Sequence, residues 1–323
     1  MRTSATGQPP WTTAEIGDQH GRTVLITGGN SGIGFETAKT LAARGATVLF
    51  TYRDHTTATA AVQAITSAVP DATIRTQHLD LTSLASIRRT ADWVRSSCPR
   101  LDLLINNGGI MMAPKQSTED GFELHIGTNH LGHFALTGLL LDLLVHAEGS
   151  RIVTVSSSAH LQGRIDLDDL HFTRRRYQAP AAYAQSKLAN ILFTQELHRR
   201  LTSAGLPTIA VALEPGYVRT RLPRSAAGPM RLAVRVVTRL LGQPDTATGA
   251  LATLRAATDP GAVGGDYYGP AGRLRTAGAP IRREPSPATR DHELGRRLWA
   301  ESERLTGISY QLTDPATPSG TNR

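Results

Sequence analysis

The sequence contains little cysteine and little lysine. Cys98 is the only cysteine among 323 residues, so neither an intramolecular disulfide nor a multi-cysteine metal site can form, which suits a reducing compartment. Only three of the 35 basic residues are lysine, namely Lys39, Lys115 and Lys187. Because a lysine ammonium is a compact point charge and not a planar fork, a lysine in so arginine-rich a chain is a candidate for a specific role.

The sequence also lacks a long uninterrupted apolar run. Its longest apolar stretch, residues 131–145, is interrupted by His133 and Asp142 and is too short to span a bilayer. Residues 1–20 contain no apolar signal core. We therefore expect a soluble, cytoplasmic protein without stable membrane insertion.

The net charge of +8 would permit binding to nucleic acid, but its distribution does not favour it. The arginines are scattered, the densest run is the triplet at residues 174–176, and no nucleic-acid-binding motif accompanies them. We expect most arginines to be solvated, some to meet a cofactor phosphate, and nucleic acid not to be a partner.

Short apolar runs rich in β-branched residues alternate with helical segments along the chain. The pattern predicts strands at 23–27, 47–51, 72–79, 101–106, 151–155 and 208–213, and helices at 32–44, 56–68, 82–97, 120–147 and 180–204. This alternation predicts an α/β protein: a single-domain Rossmann fold with a doubly wound parallel sheet of about seven strands. We expect the domain at residues 21–310, an N-terminal arm at 1–20 that docks Trp11, and a disordered tail at 311–323.

A glycine-rich loop follows the first predicted strand. Gly28 allows a tight turn, Gly32 lets the backbone approach a pyrophosphate, and Gly34 permits close packing of the next helix, whose N-terminus offers free N–H groups. The spacing is GxxxGxG and not GxGxxG, so a flexible turn is the alternative. The position in the first βα unit favours dinucleotide binding, and the predicted cofactor residues of the loop are Gly28, Asn30, Ser31, Gly32, Ile33 and Gly34.

The end of the second strand bears on the choice between NADP(H) and NAD(H). Tyr52 stands where an acid would bind a ribose 2′-hydroxyl, and Arg53, which follows it, suits a 2′-phosphate. Asp54 is the residue that argues against this preference, unless it caps the next helix. The sequence therefore favours NADP(H).

The ends of the third and fourth strands add polar residues at the same edge of the sheet. Asp80, with Leu81 beside it, is predicted to accept a hydrogen bond from the adenine amino group, and a helix N-cap is the alternative. Asn107 and Gly108 are predicted to line the adenosine and ribose side, and a plain turn is the alternative. All four are candidate cofactor-binding residues.

Tyr183 and Lys187 lie four residues apart in a predicted helix and therefore share one face. A cation about 4 Å from a phenol, at an effective dielectric near 20, contributes roughly 4 kcal/mol, or about three pKa units. That shift would bring the phenol close to general acid–base work near neutral pH. The alternative is a half-buried tyrosine and a solvated lysine one turn apart.

Six motifs follow one another in the chain: Thr27-Gly28-x-x-x-Gly32-Ile33-Gly34, Asn106-Asn107-Gly108-Gly109, Asn129, Ser157, Tyr183-x-x-x-Lys187 and Pro215-Gly216-x-Val218-x-Thr220. Their combination resembles the short-chain dehydrogenase/reductase superfamily over roughly residues 20–310. The segments 129–134, 156–160, 168–170 and 182–190 are most similar to the branch that contains retinol dehydrogenases and the WW-domain oxidoreductase.

The resemblance implies an NAD(P)-dependent oxidoreductase with four catalytic residues. Tyr183 would be the general acid or base, and Lys187 would lower its pKa and bind the nicotinamide ribose. Ser157 would hold the substrate oxygen, and Asn129 would kink its helix and anchor a water that relays protons to Lys187. The resemblance also implies that four residues after the sixth strand bind the nicotinamide end of the cofactor, namely Pro215, Gly216, Val218 and Thr220.

Three positions depart from the pattern of the family. Gly29 and Gly108 stand where alanine is usual, which loosens the turn at Gly108 but removes no functional group. Glu214 precedes Pro215 where this branch usually has histidine. We expect the Glu214 carboxylate to be turned away from the cofactor or paired.

Three histidines lie near these motifs. His130 and His133 are expected to be structural, whereas His160 is either structural or close enough to Ser157 to touch the substrate. The sequence shows no metal-ligand spacing, so no metal site is predicted.

Substrate choice is expected to reside in three loops, at residues 111–114, 160–180 and 217–242, of which the last includes an amphipathic lid. Their apolar content favours a hydrophobic ketone or secondary alcohol over a sugar. A non-catalytic NADP-binding sensor and an epimerase or dehydratase that uses transient oxidation are the alternatives. A homodimer or homotetramer is compatible with the sequence.

Overall fold

A twisted eight-stranded sheet organises the protein. The computed structural model describes residues 10–145, 147–216, 246–272, 275 and 278–312. In chain order the strands are β1 (Thr23–Ile26), β2 (Thr47–Tyr52), β3 (Ile74–His78), β4 (Leu103–Asn106), β5 (Arg151–Val155), β6 (Ile209–Leu213), β7 (Tyr267–Pro270) and β8 (Pro280–Arg282).

The strand order is β3-β2-β1-β4-β5-β6-β7-β8. All neighbours pair in parallel except β8, which runs antiparallel to β7. The order reverses between β1 and β4, and this is the point at which doubly wound sheets bind their ligands. The predicted fold class is confirmed, and the strands β7 and β8 are the two that the sequence pattern did not locate.

Helices cover both faces of the sheet. They are α1 (Gly32–Ala42), α2 (His55–Ala68), α3 (Leu84–Ser97), α4 (Leu124–Ile126), α5 (Gly132–Val145), α6 (Ala179–Ser203), α7 (Thr246–Thr258) and α8 (His292–Thr306). A π-helical turn at Gly127–Leu131 joins α4 to α5.

The sheet is apolar on both faces, as a fully covered parallel sheet must be. Along β1, Val24 and Ile26 join the core cluster on one face, with α1, α2 and α7, while Leu25 joins the cluster on the other face, with α3, α5 and α6. Alternate residues of a strand point to opposite faces, so one short apolar run serves both cores.

The helix predicted at residues 120–147 begins later than expected. Glu123 caps it, because its carboxylate accepts hydrogen bonds from the backbone N–H groups of His125 and Ile126 at 2.9 Å each. An isolated antiparallel bridge between Ser117 and Glu123 keeps the preceding residues out of the helix.

Both ends of the predicted domain are docked on it. Trp11 is 8% exposed and belongs, with Ile16, to the first core cluster. Leu312 packs against the second cluster, and the rest of the expected tail, residues 313–323, lies outside the described residues. Within the described ranges, none of the helices has both the length and the apolarity needed to cross a bilayer.

Candidate active site

The carboxyl ends of the central strands border a cavity of about 1020 Å³. Most of the predicted cofactor residues line it, together with the predicted tyrosine and lysine. These are Gly28, Asn30, Ser31, Gly32, Ile33, Gly34, Arg53, Asn107, Gly108, Tyr183, Lys187 and Pro215. Residues distributed over nearly 190 positions of the chain therefore meet at one edge of the sheet.

The glycine loop is packed too closely to accept side chains at two positions. A Cβ at Gly34 would lie 2.3 Å from the Gly28 carbonyl oxygen and 2.6 Å from the Asn107 amide nitrogen. A Cβ at Gly29 would lie 2.4 Å from the Cβ of Phe50. The phenylalanine on the neighbouring strand thus explains why glycine replaces the alanine that the family usually has at position 29.

The N-terminus of α1 faces this cavity. Ser31 occupies the N-cap position, but its side chain makes no capping hydrogen bond. Backbone N–H groups of an uncapped first turn, together with the helix dipole, form an anion-binding site. The arrangement fits a phosphate of a bound dinucleotide.

Arg53 lies exposed at the rim of the same cavity. The neighbouring Asp54 is committed to α2, because its carboxylate accepts a hydrogen bond from the backbone N–H of Thr57 at 2.8 Å. The acid that argued against a 2′-phosphate is therefore a helix cap, and Arg53 is the charged side chain that the rim of the cavity presents here.

Asp80 and Leu81 do not line the cavity. Asp80 accepts hydrogen bonds from the backbone N–H and the hydroxyl of Thr82 at 2.9 and 2.8 Å. The helix cap is Ser83, so the alternative of Asp80 as the N-cap is wrong. Leu81 lies behind the turn at Gly108, where an added Cβ would come within 3.0 Å of its Cδ1.

Thr27 locks the turn after β4 against the glycine loop. Its hydroxyl oxygen accepts hydrogen bonds from the backbone N–H groups of Asn107 and Gly108 at 2.9 and 2.8 Å. It also lies 2.9 Å from Nε2 of His133, whose Nδ1 is 3.0 Å from the carbonyl oxygen of Asn129. Since a carbonyl can only accept, Nδ1 carries the proton and the Thr27 hydroxyl donates to Nε2.

Asn129 lies in the π-helical turn and uses its whole side chain. Its Oδ1 accepts from the N–H of Ile110 at 2.9 Å, and its Nδ2 donates to the Ile110 carbonyl at 3.0 Å. The same Nδ2 donates to the Ser186 hydroxyl at 2.9 Å, one residue before Lys187. Asn129 thereby connects the turn after β4 to α6, and Ser186 is a partner that the sequence analysis did not identify.

The structure brings Ser157, Tyr183 and Lys187 together. Tyr183 and Lys187 are one turn apart on α6, and the Lys187 nitrogen lies 5.8 Å from the centre of the Tyr183 ring. The ammonium donates to the carbonyl oxygen of Val155, at the end of β5, at 3.1 Å. The Ser157 side chain lies close enough to Tyr183 to lower the pKa of its phenol.

The three adjacent serines after β5 have different environments. Ser156 is buried, and its hydroxyl donates to the backbone carbonyl of Lys187 at 2.7 Å, so it serves as a structural link. Ser158 is exposed. Ser157 is therefore the serine that lies beside Tyr183.

The electrostatics differ from the expectation that Lys187 lowers the pKa of Tyr183. Burial raises the pKa of the phenol, and the nearby Ser157 side chain only partly opposes this effect. Burial also lowers the pKa of Lys187, to about 8. The side chain of Lys187 is only 5% exposed, so both groups are shifted towards their neutral forms.

Glu214 is paired, as expected. Its buried carboxylate meets Nη1 of Arg275 at 3.2 Å, and burial raises its pKa despite that cation.

His160 is fully buried: its Nδ1 donates to the backbone carbonyl of Ser157 at 2.6 Å, and its Nε2 accepts from the N–H of Ser286 at 3.1 Å. Of the two alternatives for His160, the structural one fits these contacts.

His130 is also buried, and its Nε2 lies 2.8 Å from the hydroxyl of Ser302 on α8.

Gly216 follows β6 with a φ of 80° but does not line the cavity. Val218, Thr220 and the expected lid at 217–242 lie outside the described residues. Among the residues that are described, His, Cys, Asp and Glu form no group of three that could hold a metal ion.

The fold, the glycine loop and the Ser–Tyr–Lys arrangement define a nicotinamide-dependent oxidoreductase of the Rossmann type. The family model for short chain dehydrogenase matches residues 22–228. The chain therefore belongs to the short-chain dehydrogenase family, in its retinol dehydrogenase branch. It is an NAD(P)-dependent oxidoreductase that acts on alcohol or carbonyl groups.

Several relatives cover most of the chain. Retinol dehydrogenase 13 of Homo sapiens is 42% identical over 299 residues, which are 89% of this chain and 85% of that protein. Polyprenol dehydrogenase of Mus musculus is 41% identical over 294 residues, which are 90% of this chain and 85% of that protein.

Solved structures agree with these sequence relatives. A crystal structure of an uncharacterized protein from Mycobacterium paratuberculosis has a TM-score of 0.79 and 43% identity, and the match covers 94% of this chain and all of that one. The active-site complex of RhlG from Pseudomonas aeruginosa with NADP has a TM-score of 0.60 and 26% identity, covering 77% of this chain and 94% of that one.

Proposed function

We propose that the protein is an NADP(H)-dependent oxidoreductase that interconverts the carbonyl and alcohol forms of a hydrophobic small molecule. The observation that carries the proposal is that Tyr183, beside Ser157, and Lys187 line a cavity that also contains an uncapped helix N-terminus. A nucleotide-binding scaffold would need only the glycine loop, whereas proton transfer to a carbonyl also needs the hydroxyls of Ser157 and Tyr183.

The cavity fits a dinucleotide at three places. The glycine loop and the N-terminus of α1 suit the pyrophosphate, and Arg53 at the rim suits a 2′-phosphate. Asn107 and Gly108 line the side between these two positions and the catalytic residues. We place the adenosine 2′-phosphate at Arg53, which is the basis of the preference for NADP(H).

The chain's own residues supply position and protons. When bound, the nicotinamide ring supplies or accepts the hydride at its C4 atom. In carbonyl reduction, Tyr183 donates its phenolic proton to the carbonyl oxygen, which the Ser157 hydroxyl holds within reach of that proton. In alcohol oxidation the proton moves in the opposite direction. Because burial keeps Tyr183 protonated, the free enzyme is prepared for reduction.

Lys187 supports this proton transfer with its charge. Its ammonium is anchored on the Val155 carbonyl and lies on the same face of α6 as Tyr183. It stabilises the negative charge that develops on the phenol oxygen as the proton leaves, and we propose that it also binds the nicotinamide ribose.

The substrate end of the cavity is apolar. Ile110, Met111, Ala113 and Leu124 line it beside Tyr183. Such a surface favours a hydrophobic ketone, aldehyde or alcohol. Relatives named for retinol and polyprenol, both apolar alcohols, support the same substrate class.

Turnover can be tested with purified protein, NADPH and a panel of carbonyl compounds that includes aromatic ketones, aliphatic ketones and retinal. Oxidation of the reduced cofactor is followed by its absorbance. We expect apolar carbonyls to be reduced, and a panel without any turnover would contradict the proposed function.

Tyr183→Phe should lower kcat by about 100-fold or more, since it removes the general acid. Full activity in that variant would exclude the proposed mechanism.

Arg53→Ala tests the cofactor preference. Loss of a charged partner of the 2′-phosphate should raise the KM for NADPH by about tenfold or more, and the KM for NADH should change little, because NADH has no such phosphate. NADH is thus the control within the same variant. Equal changes for the two cofactors would rule out the assignment of Arg53.

A further inference from the structure

We propose that His125 and Tyr177 clamp the backbone of Ala113 and thereby set the wall of the substrate end of the cavity. They are positioning residues for substrate selection, since neither is assigned to the cofactor or to proton transfer. The inference rests on the proposed function, because the wall borders the reaction that Tyr183 performs.

The clamp holds both polar atoms of one peptide residue. The N–H of Ala113 donates to Nε2 of His125 at 3.2 Å. The Tyr177 hydroxyl donates to the Ala113 carbonyl oxygen at 3.0 Å. Ala113 itself lines the cavity, so the wall lies where these two side chains place it.

Glu123 orients the histidine of this clamp. Its carboxylate lies 3.0 Å from Nδ1 of His125 and is 2% exposed, and hydrogen bonds from His125 lower its pKa below the usual range. A carboxylate can only accept, so Nδ1 carries the proton and leaves Nε2 as the acceptor for Ala113. His125 also packs edge-on against Tyr183, with ring centres 6.1 Å apart.

A second clamp holds the same loop three residues earlier. Asn129 binds both the N–H and the carbonyl oxygen of Ile110, and it lies four residues after His125 in the same helical segment. The two residues between the clamped positions are Met111 and Met112. Met112 adopts a φ of 53° and is 36% exposed. A loop held at both ends, with a methionine in the left-handed region, has few other conformations available.

The loop at residues 160–180, which leads into α6, is hydrogen-bonded to the residues around this clamped loop. Lys115 donates to the carbonyl oxygen of Phe172 at 2.8 Å, and the N–H of Glu123 donates to Nδ1 of His171 at 3.2 Å. Two of the three loops expected to choose the substrate are therefore one connected surface. The position of this connected surface should change which molecules fit, and should leave the cofactor contacts unchanged.

The test compares three variants with the wild type on one bulky and one small apolar carbonyl. Tyr177→Phe removes the hydroxyl that donates to the Ala113 carbonyl and that also lies 3.1 Å from Nδ1 of His125. His125→Leu removes the acceptor for Ala113, and His125→Gln retains an acceptor and a donor. We expect the ratio of kcat/KM for the bulky to the small substrate to change about fivefold or more in Tyr177→Phe and His125→Leu, through KM. His125→Gln should restore most of the wild-type ratio, and the KM for NADPH should stay within about twofold in all variants.

Tyr310→Phe is the control, because it also removes one tyrosine hydroxyl that donates to a backbone carbonyl. The Tyr310 hydroxyl donates to the Phe134 carbonyl at 2.7 Å, and neither residue lines the cavity. We expect it to lower stability and leave the substrate ratio unchanged. If Tyr177→Phe and His125→Leu alter the ratio no more than Tyr310→Phe, the clamp does not select substrate and the inference is overturned.

Hydrogen exchange separates the clamp from the proposed function. The Ala113 amide should exchange at least about tenfold faster in His125→Leu than in the wild type, and in His125→Gln it should stay protected. A wild type that reduces no carbonyl contradicts the proposed function, while this exchange still decides whether the clamp exists. Unchanged exchange in His125→Leu overturns the clamp itself.

Discussion

At the scale of single residues, burial outweighs charge in the Tyr183–Lys187 pair. The four-residue spacing of Tyr183 and Lys187 predicts that the lysine ammonium lowers the pKa of the tyrosine phenol. In the fold, the Lys187 nitrogen is 5.8 Å from the ring centre and is bonded to the Val155 carbonyl, while both side chains are removed from water. Desolvation disfavours each charged form, so the phenol is harder to ionise and the ammonium easier to deprotonate.

The depressed pKa of Lys187 predicts a pH dependence of activity. The ammonium is charged below a pKa of about 8 and neutral above it. We expect kcat/KM for NADPH, which reports groups of the free enzyme, to fall as the pH rises through this value, by up to about tenfold per pH unit. Lys187→Arg should remove the descent because arginine stays charged. A flat wild-type profile between pH 7 and pH 10 would show that the charge is not required.

At the scale of elements, the helical segment from α4 to α5 owes its function to an irregularity. The predicted kink at Asn129 corresponds to the π-helical turn at Gly127–Leu131, which frees the Asn129 side chain to hold Ile110. π-turns are rare and often mark functional sites. One turn further on, His133 connects this segment to Thr27 beside the glycine loop.

The two buried histidines of this segment predict a loss of stability in acid. Burial lowers the pKa of His133 to about 4 and that of His130 to about 3. The unfolded chain binds protons at both sites near pH 6.5, so their contribution is complete above pH 6.5 and is lost as the pH falls towards the folded-state values. Each histidine should reduce the free energy of unfolding by up to about 1.4 kcal/mol per pH unit in this window.

Urea unfolding at a series of pH values between 7 and 4.5 measures this effect. His133→Gln should unfold with a shallower pH dependence than the wild type, because one of the groups that take up a proton on unfolding is absent. The explanation fails if His133→Gln and the wild type lose stability in parallel.

At the scale of the whole molecule, the C-terminal helix completes the second core. Trp299 on α8 packs against Phe134 on α5 and Phe193 on α6, with ring centres 5.1 and 5.9 Å apart. Tyr310 packs against Trp299 with ring centres 4.5 Å apart, and the guanidinium of Arg200 lies over the indole, 4.5 Å from its centre. Trp299 and Tyr310 thus pack against both α5, which follows Asn129, and α6, which carries Tyr183, and hold the two helices together.

Trp299→Ala should therefore destabilise the protein as a whole. Removing a fully buried tryptophan from a core costs about 3–5 kcal/mol of the free energy of unfolding. Trp93→Ala is the matched control, since Trp93 is only partly buried at the edge of the same cluster and should cost clearly less. Urea unfolding gives both values, and similar losses would mean that α8 contributes little to the core.

The sequence by itself determined the α/β architecture, the cofactor loop and the family, because these depend on local patterns. Short continuous apolar runs specify strands, glycines specify the turn at Gly28–Gly34, and Tyr183 and Lys187 share a face by helical spacing alone. Tertiary structure decided what depends on residues far apart in the chain. Thr27 and His133 are 106 residues apart.

Three features show why local patterns could not reach further. The direction of the Tyr183 and Lys187 pKa shifts depends on burial, which a motif does not report. The pairing of Glu214 with Arg275 spans 61 residues. The clamp on Ala113 needs side chains from the helical segment and from the insert before α6, brought together only when the loops pack on the finished sheet.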